Sequence, residues 1–389
     1  MKNDGLLAGI TVIDLTHVLS GPFATMILRN LGARVIKVEP PSVGDDSRAF
    51  GPFLKNVSLY FSSINAGKES IALNLKDDDD RKVFEELLSI ADVVTENYRP
   101  GTMEKLGYGW DELHERFPKL IYGVASGFGH SGPNMHRAAY DMVVQGMGSV
   151  MSMTGQPNSP PTRVGVSIGD LTAGLYLAAG INAALFKRKS TGVGCKVDIG
   201  MLDCQATLLE GAIPDFISSG IVPEPLGSRH PSIAPFQVFK TQDDPIVIAA
   251  GNDHLFSLLS HAVALPQLGM DPRFTTNELR HMHIDELQAE LEVALTTKSA
   301  SEWLNLLDAA GVPCGPINTV RELVADEQIA ARNMIVETVD KVAGPLKIAG
   351  NPIKVSGVPD PVSVPAPPQL DEHRTEILTM LKTIRDAKR

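Results

Sequence analysis

The N-terminal part of the chain alternates compact apolar runs with amphipathic stretches. The β-branched run ITVIDL is followed by helical spacing over 23–31 and then by the run ARVIKVE. A second cycle has a helix predicted over 78–90. The strands predicted in this region cover residues 10–15, 33–39, 70–75, 92–96 and 120–126. Strand–helix–strand spacing is typical of βαβ units with right-handed crossovers, so the sequence predicts a doubly wound α/β domain.

A long apolar stretch with almost no polar face follows, LTAGLYLAAGINAALF at 171–186. Its length and small residues predict a helix that is buried on most sides. Asp170 precedes it between the glycines of GVSIGDLTAG, and we expect this residue at the N-cap. The helix dipole and the free amides would hold the carboxylate ionised, as a nucleophile requires. The alternative is that Asp170 only caps the helix, because aspartate is a common N-cap residue.

The composition changes at residues 220–236, where Pro and Gly become frequent and indicate a linker. Before it, a strand is predicted over 196–200 and a helix over 201–218. After it, strands are predicted over 236–241 and 246–250, and helices near 254–264, 285–295 and 301–310. Strand-like sequence returns at 333–339, and a Pro-rich tail leads to a charged helix over 371–388. We therefore expect a large domain in residues 1–220, a small domain in 221–330, and a return segment with a final helix in 331–389.

Composition and charge restrict the function classes. The net charge of −11 argues against nucleic acid or an anionic membrane as the main partner. The three cysteines show no CxxC spacing, which disfavours a zinc site or a disulfide framework. With no signal-like segment at the N-terminus, the expectation is a cytoplasmic protein. No GxGxxG or GxxxxGK[ST] follows a predicted strand, which disfavours a nicotinamide or P-loop nucleotide.

A series of motifs then runs through the chain in a fixed order: THVLSGPFAT, LGARVIKVEPP, GDDSR, INAGKESIALNLK, ENYRPGTMEKLG, AYDMVVQ and GVSIGDLTAG. In order and spacing they resemble the class III CoA-transferases, the family of formyl-CoA:oxalate, carnitine and bile-acid CoA-transferases. The resemblance covers almost the whole chain. It implies a Rossmann-like large domain, a small α/β domain and a homodimer of two interlocked chains. It also implies a CoA thioester as substrate, with no metal and no redox cofactor.

The resemblance carries specific residues as well. The catalytic aspartate of the family falls on Asp170. The CoA-contacting positions fall on Leu19, Ser20, Leu73, Asn74, Leu75, Lys76, Asn97, Tyr98, Arg99, Lys105, Tyr140 and Asp141. Three features depart from formyl-CoA transferases: Leu19 replaces a glutamine, Pro40 replaces an arginine, and AAGNDHL (249–255) stands where those enzymes have a polyglycine loop.

Within the family, VIKVEPPSVGDDSRAFGP, LGSRHPSIAPFQVF and AAGNDHLF are most similar to bacterial acetyl-CoA:oxalate CoA-transferases. The similarity implies transfer of CoA from acetyl-CoA or another short acyl-CoA to oxalate, through an aspartyl anhydride and an aspartyl-CoA thioester. Oxalate is a compact dianion, and candidate contacts for it are His17, Arg229, His230 and the amide of Gly251. The alternatives are transfer to another dicarboxylate or a carnitine-like acid, an acyl-CoA racemase, and a non-catalytic CoA-binding protein. Racemases place a histidine where this chain has Tyr140, which disfavours proton transfer at that position.

Overall fold

The structure is a computed structural model that describes residues 5–387. Its strands are β1 Thr11–Asp14, β2 Arg34–Glu39, β3 Phe53–Leu54, β4 Val57–Ser58, β5 Glu69–Ala72, β6 Val93–Glu96, β7 Ile121–Ser126, β8 Lys196–Gly200, β9 Phe236–Phe239, β10 Ile246–Ala249, β11 Cys314–Pro316, β12 Ile335–Asp340 and β13 Gly344–Ala349. Its α-helices are α1 Ser20–Asn30, α2 Leu59–Asn65, α3 Asp78–Leu88, α4 Thr102–Leu106, α5 Trp110–Arg116, α6 Asp141–Met147, α7 Val150–Met153, α8 Ile168–Thr191, α9 Met201–Thr207, α10 Ala212–Ser219, α11 Asp253–Ala262, α12 Asn277–Met282, α13 Ile284–Leu295, α14 Ala300–Ala309, α15 Val320–Ala325, α16 Glu327–Ala331 and α17 Arg374–Ala387.

A parallel six-stranded sheet organises the first of two compact units, and it confirms the predicted α/β fold. The strand order is β5-β2-β1-β6-β7-β8, with β1 paired to both β2 and β6 in parallel. Counted along the chain, the six strands follow the order 3-2-1-4-5-6 of a doubly wound sheet. The order reverses between β1 and β6. In such sheets a crevice opens at this point beyond the carboxyl ends of the strands, and ligands bind there.

Alternating side chains of the strands enter two hydrophobic cores, one on each face of the sheet. Ile13 belongs to the core that contains Phe84 of α3, whereas its neighbour Val12 belongs to the core that contains Leu177 of α8. Helix α8 lies close against β7, because a Cβ on Gly123 would come within 2.9 Å of Ile181 Cδ1. In the part of the chain that the structure describes, α8 alone is long and apolar enough to cross a membrane, but half of that stretch is buried in the protein.

Helix α8 begins earlier than the sequence predicted. Its first residue is Ile168 and its N-cap is Ser167, so Asp170 is the third helical residue and the predicted N-cap position is wrong. The Ser167 side chain makes no capping hydrogen bond. Instead, Asp141 supplies the cap from α6, because its Oδ1 accepts the Gly169 amide at 2.8 Å. The α8 cap is thus a carboxylate from a distant part of the chain, and a local sequence pattern cannot indicate such a cap.

Other boundaries differ as well. The helix predicted over 23–31 begins at Ser20, and the one predicted over 201–218 is divided into α9 and α10. The return segment contains the antiparallel pair of β12 and β13, of which the sequence predicted only the first strand. The final helix α17 buries Ile377 and Leu381 in the same core as Phe84. The last position of the predicted tail helix, Lys388, lies outside the described residues.

The second unit comprises Ser152–Thr162 and Val222–Asp326. It has an antiparallel sheet of order β11-β10-β9 and a core of its own around Phe239, Leu291 and Trp303. The first unit comprises Met1–Met151, Arg163–Ile221 and Glu327–Arg389. The sequence assigned all of 1–220 to the large domain, whereas the segment Ser152–Thr162 groups with the second unit.

Candidate active site

A cavity of about 340 Å³ opens at the point where the order of the sheet reverses. It is bounded by the segments that follow β1, β6 and β7, and by the first turn of α8. Its lining comes from the first unit and consists of His17, Val18, Leu19, Ser20, Asp46, Asn97, Tyr98, Arg99, Pro100, Ala125, Ser126, Gly127, Met135, Arg137, Ala138, Ala139, Tyr140, Asp170 and Met201. The cavity therefore brings Asp170 together with His17 and with six of the residues predicted to contact CoA: Leu19, Ser20, Asn97, Tyr98, Arg99 and Tyr140.

The segments after β1 and β6 are tied to each other. Asn97 Oδ1 accepts the His17 amide at 2.8 Å, and Asn97 Nδ2 donates to the His17 carbonyl at 2.8 Å. The His17 ring lies 3.2 Å from the Tyr98 hydroxyl, measured from Nε2. Burial, and then the positive charge of Lys37, lowers the pKa of His17. The ring is therefore neutral near pH 7, and it offers a hydrogen bond rather than a positive charge to an anionic substrate.

Asp170 occupies an environment that disfavours its charge. Burial, and then the negative charge of Asp141, raises the pKa of Asp170 to about 7, against the opposing hydrogen bond from Ser20. The expectation that the helix dipole keeps this carboxylate fully ionised is therefore wrong. A carboxyl whose pKa is raised by burial and by a neighbouring charge, and which lies in a cleft, is a candidate catalytic group.

Asp141 holds the turn that carries Asp170. Besides capping α8, it accepts a hydrogen bond from Gln145 Nε2 at 2.7 Å, and its carboxylate is almost fully buried. Asp141 is outside the lining of the cavity, so the structure gives it a supporting position behind Asp170 rather than a place on the binding surface.

A glycine allows the two helices of the site to meet. A Cβ on Gly174 of α8 would lie 2.6 Å from the Ser20 carbonyl oxygen of α1. Any side chain at this position would push the helices apart. Gly174 therefore keeps the beginning of α1 next to the turn that carries Asp170.

Several residues with predicted CoA contacts lie outside this cavity. The side chains of Leu73 and Leu75 are buried in the core of the sheet, so only the backbone atoms of these residues could contact a ligand. Asn74 and Lys76 are exposed in the turn after β5, where the Asn74 amide donates to Asp80. Lys105 is exposed on α4. The structure does not bring these residues together with Asp170.

The proposed oxalate contacts of the second unit have partners there. Arg229 donates to Asp285 and to Gln288, both at 2.6 Å. His230 accepts the Ser232 amide through Nδ1 and packs against the Phe236 ring. Gly251 precedes α11. The guanidinium of Arg229 is thus already paired with a carboxylate, which weakens its candidacy as an oxalate donor.

Sequence reasoning missed several polar residues of the site. Arg137 lines the cavity with its guanidinium over the Phe128 ring, and Ser126 lines it at the end of β7. Burial, and then the charge of Asp170, raises the pKa of Tyr60 to about 12, so this hydroxyl keeps its proton. The only sequence signal for Arg137 was a basic residue three positions before Tyr140. Tyr60 gave no signal, because its closeness to Asp170 arises only in the fold.

The chain is similar to known proteins over nearly its whole length. The sequence model of CoA-transferase family III matches residues 7–374. An acetyl-CoA:oxalate CoA-transferase of Acetobacter aceti is 48% identical over 372 residues, covering 95% of this chain and 94% of its own. A succinyl-CoA:glutarate CoA-transferase of Homo sapiens is 38% identical over 379 residues, covering 97% and 86%. The crystal structure of a CAIB/BAIF family protein from Brucella suis has a TM-score of 0.84 at 36% identity, covering 97% of this chain and 99% of that one.

Proposed function

This chain belongs to CoA-transferase family III, and from that premise we propose that it moves CoA from acetyl-CoA or another short acyl-CoA to oxalate, with Asp170 as the nucleophile. The observation that supports this role is the position of Asp170 on the first turn of α8, in a cavity at the point where the sheet order reverses. A crevice at this position suits an acyl-CoA, because the CoA moiety can extend out of the crevice while the acyl group lies inside.

Each step of the proposed reaction exchanges one acyl bond for another. The Asp170 carboxylate attacks the thioester carbonyl, which forms a mixed anhydride and releases CoA thiolate. The thiolate attacks the aspartyl carbonyl, which forms an aspartyl-CoA thioester and releases the first carboxylate. Oxalate then attacks this thioester, which gives a second anhydride and thiolate, and the thiolate takes the oxalyl group to form oxalyl-CoA and restore Asp170. Covalent catalysis of this kind divides one difficult exchange into easier acyl transfers.

The residues of the cavity support separate parts of this reaction. Arg99 brings a positive charge to the rim of the cavity, where a CoA phosphate can pair with it. The first turn of α1, from Ser20, presents free amides beside the α8 turn, and such amides stabilise the oxyanions of acyl transfer. Ser20 lowers the pKa of Asp170, which favours the ionised form that attacks.

The choice of oxalate rests on a relative and on the chemistry of the cavity. The relative named for oxalate is 48% identical, whereas the human relative named for glutarate is 38% identical. Arg99 and Arg137 add positive charge to the lining, and Ser126 adds a hydroxyl, as a small dianion requires. Transfer to a longer dicarboxylate is the second candidate, since several relatives are named for glutarate or mesaconate.

We also propose that the chain works as a homodimer in the cytoplasm. The family premise supports a dimer, and so does α10, which buries none of its residues although Phe216 and Ile217 are apolar. On α8, Phe186 is 78% exposed. Apolar surface of this kind is typical of an interface with a second copy. Sedimentation at low concentration should show no folded monomer, and a stable monomer would contradict the dimer.

An acceptor screen tests the function. The protein is incubated with acetyl-, formyl- or succinyl-CoA and with oxalate, glutarate, succinate, acetate or carnitine, and new thioesters are identified by mass. We expect oxalyl-CoA with a kcat/KM for oxalate at least about ten times that for the other acceptors. Asp170→Ala should form none of these products. A preference for glutarate would contradict oxalate as the acceptor but not the type of reaction. Full activity of Asp170→Ala would refute the mechanism.

A further inference from the structure

The turn between β1 and α1 contains a backbone conformation that its residue type disfavours. Val18 has a φ of 65°, in the left-handed region, where a β-branched side chain is an outlier. It lies between His17 and Leu19 in the wall of the cavity that holds Asp170. Such a conformation persists only where the surroundings enforce it, and it is concentrated at functional sites.

Asp45, in the GDDSR segment, is the group that contacts the Val18 backbone. Its Oδ1 accepts the Val18 amide at 3.1 Å and the Ser47 amide at 2.8 Å. Its Oδ2 lies 2.8 Å from Lys37 Nζ, and both side chains are completely buried. Burial opposes the charge of Asp45, but Lys37 and the hydrogen bonds from Ser47 lower the pKa of this carboxyl, so it stays ionised. The Val18 amide therefore meets a buried, ionised acceptor.

Lys37 holds the same turn from the other side. Its Nζ donates at 2.6 Å to the carbonyl of Thr16, two residues before Val18. Burial alone would lower the pKa of Lys37, but the charges of Asp14 and Asp45 raise it, so the ammonium is retained. The ion pair thus fixes a carbonyl on one side of Val18 and the Val18 amide itself. Removal of Lys37 would leave the Asp45 carboxylate buried without its counter-charge.

A second buried pair fixes the beginning of α1. Lys68 Nζ lies 3.0 Å from Asp14 Oδ2, and it also donates to the Pro22 carbonyl at 3.0 Å and to Thr25 Oγ1 at 2.8 Å. Pro22 and Thr25 of α1 are therefore anchored directly after the turn. A relaxation of Val18 would move Leu19 and Ser20, which line the same cavity as Asp170.

We propose that Asp45 is a positioning residue, which together with Lys37 holds Val18 in its left-handed conformation and so sets the wall that Val18, Leu19 and Ser20 form in the cavity of Asp170. This inference rests on the proposed function in one respect, since the position of the wall is measured through CoA transfer. Asp45 itself is buried and lies outside the lining of the cavity. It would therefore act on the reaction through the backbone of the first turn.

Substitutions at Val18 in an Asp45→Asn background test the proposal. Asparagine retains an oxygen acceptor but loses the charge that binds Lys37, so Asp45→Asn should lower kcat/KM for the acyl-CoA by about tenfold or more. Glycine adopts a φ near 65° without strain, so adding Val18→Gly should restore kcat/KM to within about threefold of Val18→Gly alone. Val18→Ala is the matched control, because alanine keeps a Cβ and the left-handed conformation stays unfavourable. It should not restore activity.

Two results would overturn the proposal: wild-type kcat/KM in Asp45→Asn, or rescue by Val18→Ala as complete as by Val18→Gly. If Asp45→Asn does not fold, hydrogen exchange of the wild-type protein decides. The Val18 amide should exchange slowly, whereas exchange at the rate of a free loop amide would contradict the contact with Asp45. This readout is independent of activity, so a wild-type protein without CoA-transferase activity would refute the proposed function and leave the test of Asp45 intact.

Discussion

Replacing Asp170, the proposed nucleophile, with asparagine should stabilise the protein relative to the wild type, and this gain should grow as the pH rises. Burial and Asp141 raise the pKa of Asp170 from its ordinary 3.8 to about 7. A carboxyl whose pKa is raised by folding contributes stability fully at pH values below the unfolded pKa. It loses that contribution as the pH rises to the folded pKa. Above pH 7 the folded protein therefore contains an ionised, desolvated carboxylate that Asp170→Asn removes.

The size of the effect follows from the two pKa values. A difference of about 3 in pKa corresponds to roughly 4 kcal/mol of unfolding free energy at pH 8. At pH 4 the same relation gives almost nothing, because the carboxyl of the folded chain is protonated and the unfolded chain is near its own pKa. Asp170→Asn should thus gain little stability at pH 4 and the most at pH 8, with a higher midpoint of thermal unfolding by at least about 5 °C.

Differential scanning calorimetry at pH 4, 6 and 8 measures this dependence. Asp46→Asn is the control, because it neutralises an exposed carboxylate of the same cavity and should show no gain that grows with pH. An Asp170→Asn variant no more stable than the wild type at pH 8 would contradict a buried, ionised Asp170. A gain of the same size at every pH would refute it equally.

Three further outcomes are expected. The kcat/KM for acyl-CoA should rise with pH through a midpoint near 7, because Asp170 attacks as the carboxylate. Asp141→Asn should lower that midpoint by removing a like charge, and an unchanged midpoint would show that Asp141 does not contribute to the raised pKa of Asp170. Arg99→Ala should raise the KM for acyl-CoA by about tenfold, with kcat less affected, as expected for a lost charge-assisted contact; wild-type KM would place the phosphates elsewhere. Gly174→Ala should lower the free energy of unfolding by about 1–3 kcal/mol, because the added Cβ would clash with α1. Gly211→Ala is the control, since there is open space around Gly211, and equal effects of the two substitutions would contradict the close packing at Gly174.

The sheet could be predicted because each of its strands is an apolar run bounded by turn signals. Even the fully buried β7 is visible as LIYGVAS. The start of α8 could not be predicted in the same way, since its cap is the Asp141 carboxylate of another helix. Strand β13 was missed because its exposed residues interrupt the apolar pattern.

The residues that share the cavity could be selected from the sequence where they belong to a recognised motif, as with Asp170, Ser20 and Asn97. The site was not predictable where a contact joins distant segments. The hydrogen bond from Val18 to Asp45 spans 27 positions in the sequence, and nothing in either segment indicates it. The raised pKa of Asp170 has the same origin, since burial and the approach of Asp141 exist only in the folded chain.

The proposed reaction requires Asp170 to carry the acyl group and then CoA. Its most direct test is to add acetyl-CoA to the protein without an acceptor, quench with borohydride or hydroxylamine, and map the modified peptide by mass spectrometry. We expect reduction or hydroxamate formation at Asp170 in the wild type, none in Asp170→Asn, and loss of the label when oxalate is added before the quench. Modification of another carboxylate, or rapid turnover with no covalent species on the protein, would contradict it.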